Sequence, residues 1–170
     1  MGGFAEDTLL FHHLTGQHAD LDALVIRQQL PRHLQQLTAL GFAESATSLV
    51  EVPGEPLILR ARADTPPIEL WISTPEPNGG YSFDVSGQSP LSRFRIFLPD
   101  DTFHYPATTI EDIALQTISP LALYHLRAVS AMTRHTGEKR EKDLAMQEQL
   151  RQTFLADQDE RKLTPRLMQL

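Results

Sequence analysis

Residues 2–26 read GGFAEDTLLFHHLTGQHADLDALVI, and the fold turns on them. A glycine pair comes first, then a segment, Phe4 to Leu14, that reads as a short helix opened by Gly2-Gly3. Glu6 and Asp7 fall in its first turn, where acidic side chains favour the helix dipole. After a polar loop, Asp20 to Ile26 reads as a strand. Its period of two puts Asp20, Asp22, Leu24 and Ile26 on one face and Leu21, Ala23 and Val25 on the other. Asp20 and Asp22 therefore point the same way, and two such carboxylates repel unless a cation lies between them. Hard oxygen ligands at this spacing suit magnesium carried in with nucleotide phosphates. Glycine lets a backbone approach a phosphate closely, and a helix N-terminus offers it free N–H groups.

Working outward, Leu30 to Leu40 is expected to be a helix. Pro31 suits the first turn, Leu30, Leu34 and Leu37 share a face, and Gly41 can cap the end. Leu57–Arg62 and Ile68–Ile72 read as strands of a hairpin whose turn holds Asp64-Thr65-Pro66-Pro67. Ser73 to Pro90, rich in Pro, Gly, Ser and Asn, reads as a long loop. Further strands are expected at Arg93–Leu98 and Ile113–Ile118. Ser119-Pro120, a capping hydroxyl followed by proline, opens a helix to about His135. A last helix runs from about Lys142 to Ala156, with Met146, Leu150 and Phe154 at i, i+4 spacing. The fold class is α+β: a mixed β-sheet flanked by helices, with a helical C-terminal third. The core is expected over 1–118, with a helical segment over 119–170 packed on it.

The bulk properties set bounds. The chain has 170 residues, 41% apolar and 22% charged, as expected of one globular domain. A net charge of −7 repels phosphate backbones, so nucleic acid is an unfavoured partner and a cationic small molecule a better one. There is no cysteine, which excludes disulfides and thiolate metal sites. No apolar run is long enough to span a membrane, and no signal peptide is visible, so a cytoplasmic protein is expected. There is no Gly-x-Ser-x-Gly elbow, no Gly-x-x-x-x-Gly-Lys-Ser/Thr loop and no dinucleotide fingerprint.

The order glycine pair, short helix, loop, Asp-x-Asp opening a strand resembles the polymerase-β-like nucleotidyltransferases. Within them it looks most like the branch holding the aminoglycoside and lincosamide nucleotidyltransferases and the abortive-infection toxins. In the antibiotic-modifying branch the lead-in often reads Thr-Arg-x-His-x-Asp-x-Asp; here it is Thr15-Gly16-Gln17-His18-Ala19-Asp20-Leu21-Asp22. Ser119-Pro120 with Leu123-Tyr124 and Arg127, then Lys142-Asp143, is similar to the family's helix pair carrying a Lys-Asp. The resemblance implies that Asp20 and Asp22 bind magnesium, two ions in all, and that Gly2 and Gly3 line the triphosphate of an NTP donor. Glu69, in IELWI, is the matching third carboxylate, as a metal ligand or as the general base. Lys142 is implied at the phosphates as a point charge. His18 orients the loop or touches a phosphate, and Arg127 bonds the triphosphate or forms a surface ion pair.

The implied activity is magnesium-dependent transfer of a nucleoside monophosphate to a hydroxyl of a small, aminoglycoside-like acceptor. Alternatives are a toxin-type enzyme acting on tRNA or protein, and a silent member that kept the fold; pairing into a homodimer is compatible with each. Three departures stand out. Gly16 replaces the family's Arg, Glu69 replaces Asp, and the helix and strand that precede the glycine pair are expected to be absent or to lie upstream. Outside the motif, Trp71 shares a strand face with Glu69 and either packs in the core or stacks on a ring. Adjacent His12 and His13 diverge on a helix, against a histidine metal site, and Lys139-Arg140-Glu141-Lys142 reads as a solvated patch.

Overall fold

A computed structural model describes residues 3–44, 52, 54–61, 65–86, 92–110, 112–133 and 138–170. Helix α1 (Gly3–Glu6) continues as a π-helical turn, Asp7–Phe11. It ends at Phe11, three residues before the expected Leu14, with His12 in the left-handed region at φ 57°. Strand β1 (Leu21–Ile26) leads through a 3-10 turn (Arg27–Gln29) into α2 (Leu30–Ala39), which carries Pro31 in its first turn. The helix closes as its glycine predicts: Gly41 adopts φ 87°, and the Phe42 N–H donates back to the Leu37 carbonyl at 2.9 Å.

The sheet follows: β2 (Ala43–Glu44), β3 (Leu57–Arg60), β4 (Ile68–Pro75), β5 (Tyr81–Ser86) and β6 (Arg93–Leu98). Over Ser73–Ser86, where a loop is expected, the chain is mostly strand. β4 runs on to Pro75, and β5 starts after a tight turn in which the Glu76 N–H donates to the Gly80 carbonyl at 3.0 Å. Gly80 has φ 80°, and a Cβ on it would lie 2.3 Å from the Leu98 carbonyl oxygen, so only glycine fits. The turn-forming residues are real, but they punctuate a hairpin; residues 87–90 lie outside the described set. The strand expected at Ile113–Ile118 is shorter. It is β8 (Ile113–Leu115), paired with β7 (Thr108–Ile110) in a separate two-stranded ribbon.

Helix α3 (Pro120–Thr133) opens as its first residues predict, with the Ser119 hydroxyl accepting from the Ala122 N–H at 3.1 Å. Helix α4 (Glu138–Phe154) starts four residues earlier than expected. After α5 (Glu160–Leu163) comes β9 (Arg166–Gln169), so the C-terminal third is helical except for a final strand.

Among the described residues the main sheet has seven strands, ordered β2-β3-β4-β5-β6-β9, with β1 also paired to β4. β4 is its hub: β1 runs parallel to it over Ile68–Ser73, β3 antiparallel over Ile68–Leu70, and β5 antiparallel at Thr74–Pro75. The expected 57–72 hairpin is the β3–β4 pair. Alternation sorts the two faces. Val25, Leu57, Leu59, Ile68 and Leu70 are buried under the leucines of α2 and Phe42. On the other side Leu24 and Trp71 join Phe83 and Ile96 beneath Ala122, Leu126 and Val129 of α3. The rest of α3, through Leu123 and Tyr124, packs with Leu9, Leu150, Leu155 and Leu163. Residues 119–170 thus lie packed on the sheet and also supply its last strand. No helix among the described residues is long and apolar enough to cross a membrane.

Candidate functional site

Period-two alternation puts Asp22 on the same face of β1 as Leu24, and Glu69 on the same face of β4 as Trp71. The parallel register then pairs Asp22 with Glu69 and Leu24 with Trp71. The candidate third carboxylate therefore stands on the strand beside Asp22, about 5 Å away backbone to backbone. Both are half-buried, and Asp20 sits immediately before β1. Burial raises the Glu69 carboxyl above its ordinary value, and the charges of Asp22 and Asp20 raise it further. The three carboxylates thus share one electrostatic environment. Among the described residues, no three His, Asp or Glu side chains are gathered at metal-holding geometry. The donor chemistry still fits magnesium, which is commonly held by one or two carboxylates together with water and substrate phosphates.

One neutral group acts directly on this pair. The Trp71 indole N–H donates to Asp22 Oδ1 at 2.9 Å, and its ring meets Phe83 edge to face at 6.0 Å. Trp71 is half-buried within the α3-side core and is also a hydrogen-bond donor to the first carboxylate. A donor role for its N–H is visible in sequence only if the β1–β4 register is known.

The loop that delivers Asp20 and Asp22 is fastened by a residue the sequence assigns to the helix dipole. Asp7 is buried at 3% exposure and accepts from the Thr15 hydroxyl at 2.6 Å, the Thr15 N–H at 2.9 Å and His18 Nε2 at 2.8 Å. Burial pulls its carboxyl upward, but these donors outweigh that and hold it below its ordinary value. His18 also stacks on Phe4, with centroids 4.2 Å apart. A Cβ on Gly3 would lie 2.7 Å from His18 Nδ1. The glycine and the histidine of the motif are thus in contact: Gly3 leaves room for the imidazole that anchors the Asp-x-Asp loop. Gly2 lies outside the described residues.

The remaining sequence candidates lie on α3, on α4 and at the end of the π-helical turn. Arg127 is buried and bonds Glu6, and its Nη1 reaches Asp143 Oδ1 at 2.8 Å. The surface ion pair considered for it is an internal one, joining α1, α3 and α4. Burial raises the Glu6 carboxyl and Arg127 pulls it back down; Lys142, exposed on α4, pulls in the same direction. His12 and His13 are exposed at the end of the π-helical turn, and His13 Nδ1 bonds the Phe11 carbonyl at 2.8 Å.

Among the described residues, cavities open on the sheet in two places. One, of about 250 Å³, shares Trp71 with the carboxylate pair and is lined also by Arg27, Glu76, Phe83 and the Asp84–Arg95 ion pair, whose shorter contact is 2.7 Å. The other, of about 780 Å³, lies past the far end of β4 and is bounded by Tyr81, Phe97, Phe154 and His125.

No protein-family model matches the chain, and neither a curated protein nor a solved structure matches it.

Proposed function

We propose that the chain is a magnesium-dependent nucleotidyltransferase that moves a nucleoside monophosphate from an NTP to a hydroxyl of a small acceptor. The observation that carries this reading is the in-register pairing of Asp22 with Glu69 on neighbouring parallel strands, with Asp20 at the strand's entry. Magnesium held there would neutralise the triphosphate and fix its orientation, which is most of what phosphoryl-transfer catalysis needs. Asp20 and Asp22 serve as its ligands. Glu69, raised by burial and by its acidic neighbours, is suited to accept a proton or to complete the ligand set. In the transfer, the acceptor oxygen forms a bond to the α-phosphorus and the bond to the bridging oxygen of pyrophosphate breaks. The hydroxyl proton goes to the Glu69 carboxylate. A cavity lined in part by Trp71, the residue that donates to Asp22, offers room for an acceptor.

The test is calorimetric binding of ATP, GTP, CTP and UTP, with and without magnesium, to the wild type and to the Asp20→Ala/Asp22→Ala double variant. Magnesium-dependent binding that the double variant loses is expected. A folded wild type that binds none of the four refutes the proposal.

A second reading, a nucleotide-binding or partner-binding protein without catalysis, is favoured by one observation. Arg127, the implied triphosphate cation on α3, is engaged inside the protein by Glu6 and Asp143. Nucleotide binding without incorporation into any hydroxylated acceptor would select it.

A further inference from the structure

We infer that Trp71 is a positioning residue for a divalent cation at Asp22: its indole N–H fixes the carboxylate that binds the metal. This rests on the reading that Asp22 is a metal ligand. The indole is itself held. Its backbone is locked into β4 opposite Leu24, and its ring is braced edge to face on Phe83, which is 3% exposed. From there the N–H reaches back along the neighbouring strand to Asp22 Oδ1 at 2.9 Å.

The chemistry of the donor matters. An indole N–H donates and cannot accept, so it pairs with a carboxylate oxygen and fixes its rotation. It carries no charge. A lysine or arginine in its place would bind Asp22 as a counter-ion and compete with an incoming cation; a neutral donor adds no such competing charge. Asp22 and Glu69 stand side by side, so holding one of them in a single orientation also limits how their repulsion can be relieved before a cation arrives. Partners that orient metal ligands in this way typically contribute 10- to 100-fold in metal affinity.

Trp71 is the chain's one tryptophan, so its emission reports this position without labelling. The probe is Mn²⁺, which is paramagnetic and quenches a nearby indole. It is titrated into the wild type, Trp71→Phe and Asp22→Asn, with binding followed by calorimetry and, where the tryptophan is present, by emission. Phenylalanine keeps a ring against Phe83 and removes only the N–H; asparagine keeps an acceptor for Trp71 and removes only the charge.

The expected result is quenching of the wild type over the calorimetric binding curve, loss of binding in Asp22→Asn, and about 10-fold weaker binding in Trp71→Phe. Unchanged Mn²⁺ affinity in a folded Trp71→Phe, with binding still lost in Asp22→Asn, overturns the role of Trp71 and leaves the carboxylate site standing. Should Trp71→Phe fail to fold, the wild type decides: binding without any change in emission overturns the inference. A wild type that binds no Mn²⁺ either alone or in the presence of an NTP overturns both the inference and the site on which it rests.

Discussion

Arg127→Met tests what holds the helices to one another. Arg127 is 9% exposed, and its partners Glu6 and Asp143 are 3% and 1% exposed. Methionine fills most of the volume but takes the guanidinium away from two buried carboxylates. Breaking a buried ion pair by deleting one partner costs about 3–5 kcal/mol, far above the ~1 kcal/mol of an exposed pair. With a urea slope near 2 kcal/mol/M, the midpoint should fall by about 2 M. The sign with pH follows from Glu6. Its folded pKa is raised, so its charged form costs the native state stability as pH rises past its unfolded value, and Arg127 relieves that cost. The deficit of Arg127→Met should therefore be full at neutral pH and narrow on acidification, as Glu6 takes up a proton. Adding Glu6→Gln and Asp143→Leu should recover most of the loss, because the buried charges that Arg127 compensates are then gone. The assay is equilibrium urea unfolding at several pH values. A loss below about 1 kcal/mol at neutral pH would refute the buried-triad account. Normal stability with lost nucleotide affinity would return Arg127 to the triphosphate.

Three further outcomes are expected. Asp7→Asn should cost about 2 kcal/mol, since an amide cannot accept from all three donors on Thr15 and His18. Because the folded pKa of Asp7 is lowered, its contribution is present above the unfolded value and lost as pH falls through the folded one; the acid limb of a stability–pH curve should flatten in the variant. Gly3→Ala gains up to about 1 kcal/mol of helix propensity but pushes on an imidazole held by Asp7 and Phe4, so a net loss near 1 kcal/mol is expected, with faster hydrogen exchange at the Thr15 amide; unchanged exchange would mean the ring moves aside freely. A fragment of residues 1–118 lacks Ala122, Leu126 and Val129 from the core over Phe83 and Ile96, and should show no cooperative melt by circular dichroism; a sharp transition would make it a domain of its own.

Local signals carried the elements whose residues agree with their neighbours. Leu21, Ala23 and Val25 alternate cleanly into a core, and Pro31 and Gly41 bracket α2, so β1 and α2 are legible. β5 is not, because its buried Ser82 hides the alternation and finds its partner in the Glu76 side chain across the turn. β9 is an edge strand with one half-buried side chain, Leu167, and exists because β6 offers it a ladder. The same holds for the candidate site. Asp20, Asp22 and Glu69 can be picked out by type and spacing, but the Asp22–Glu69 register is a fact about two strands far apart in sequence. Glu6 and Asp7 read as helix-dipole acids because nothing near them names their partners; Arg127 lies 121 positions from Glu6.

The closing of the sheet by β9 has a consequence for how the protein is made. β6 must wait for Arg166–Gln169, which leave the ribosome only after three helices have been synthesised. During that interval β6 presents an open backbone ladder beside Phe97 and Ile96, the kind of edge on which nascent chains associate with one another. The interval is the period in which this chain most needs a chaperone, and slowing translation between α3 and β9 should lower its soluble yield.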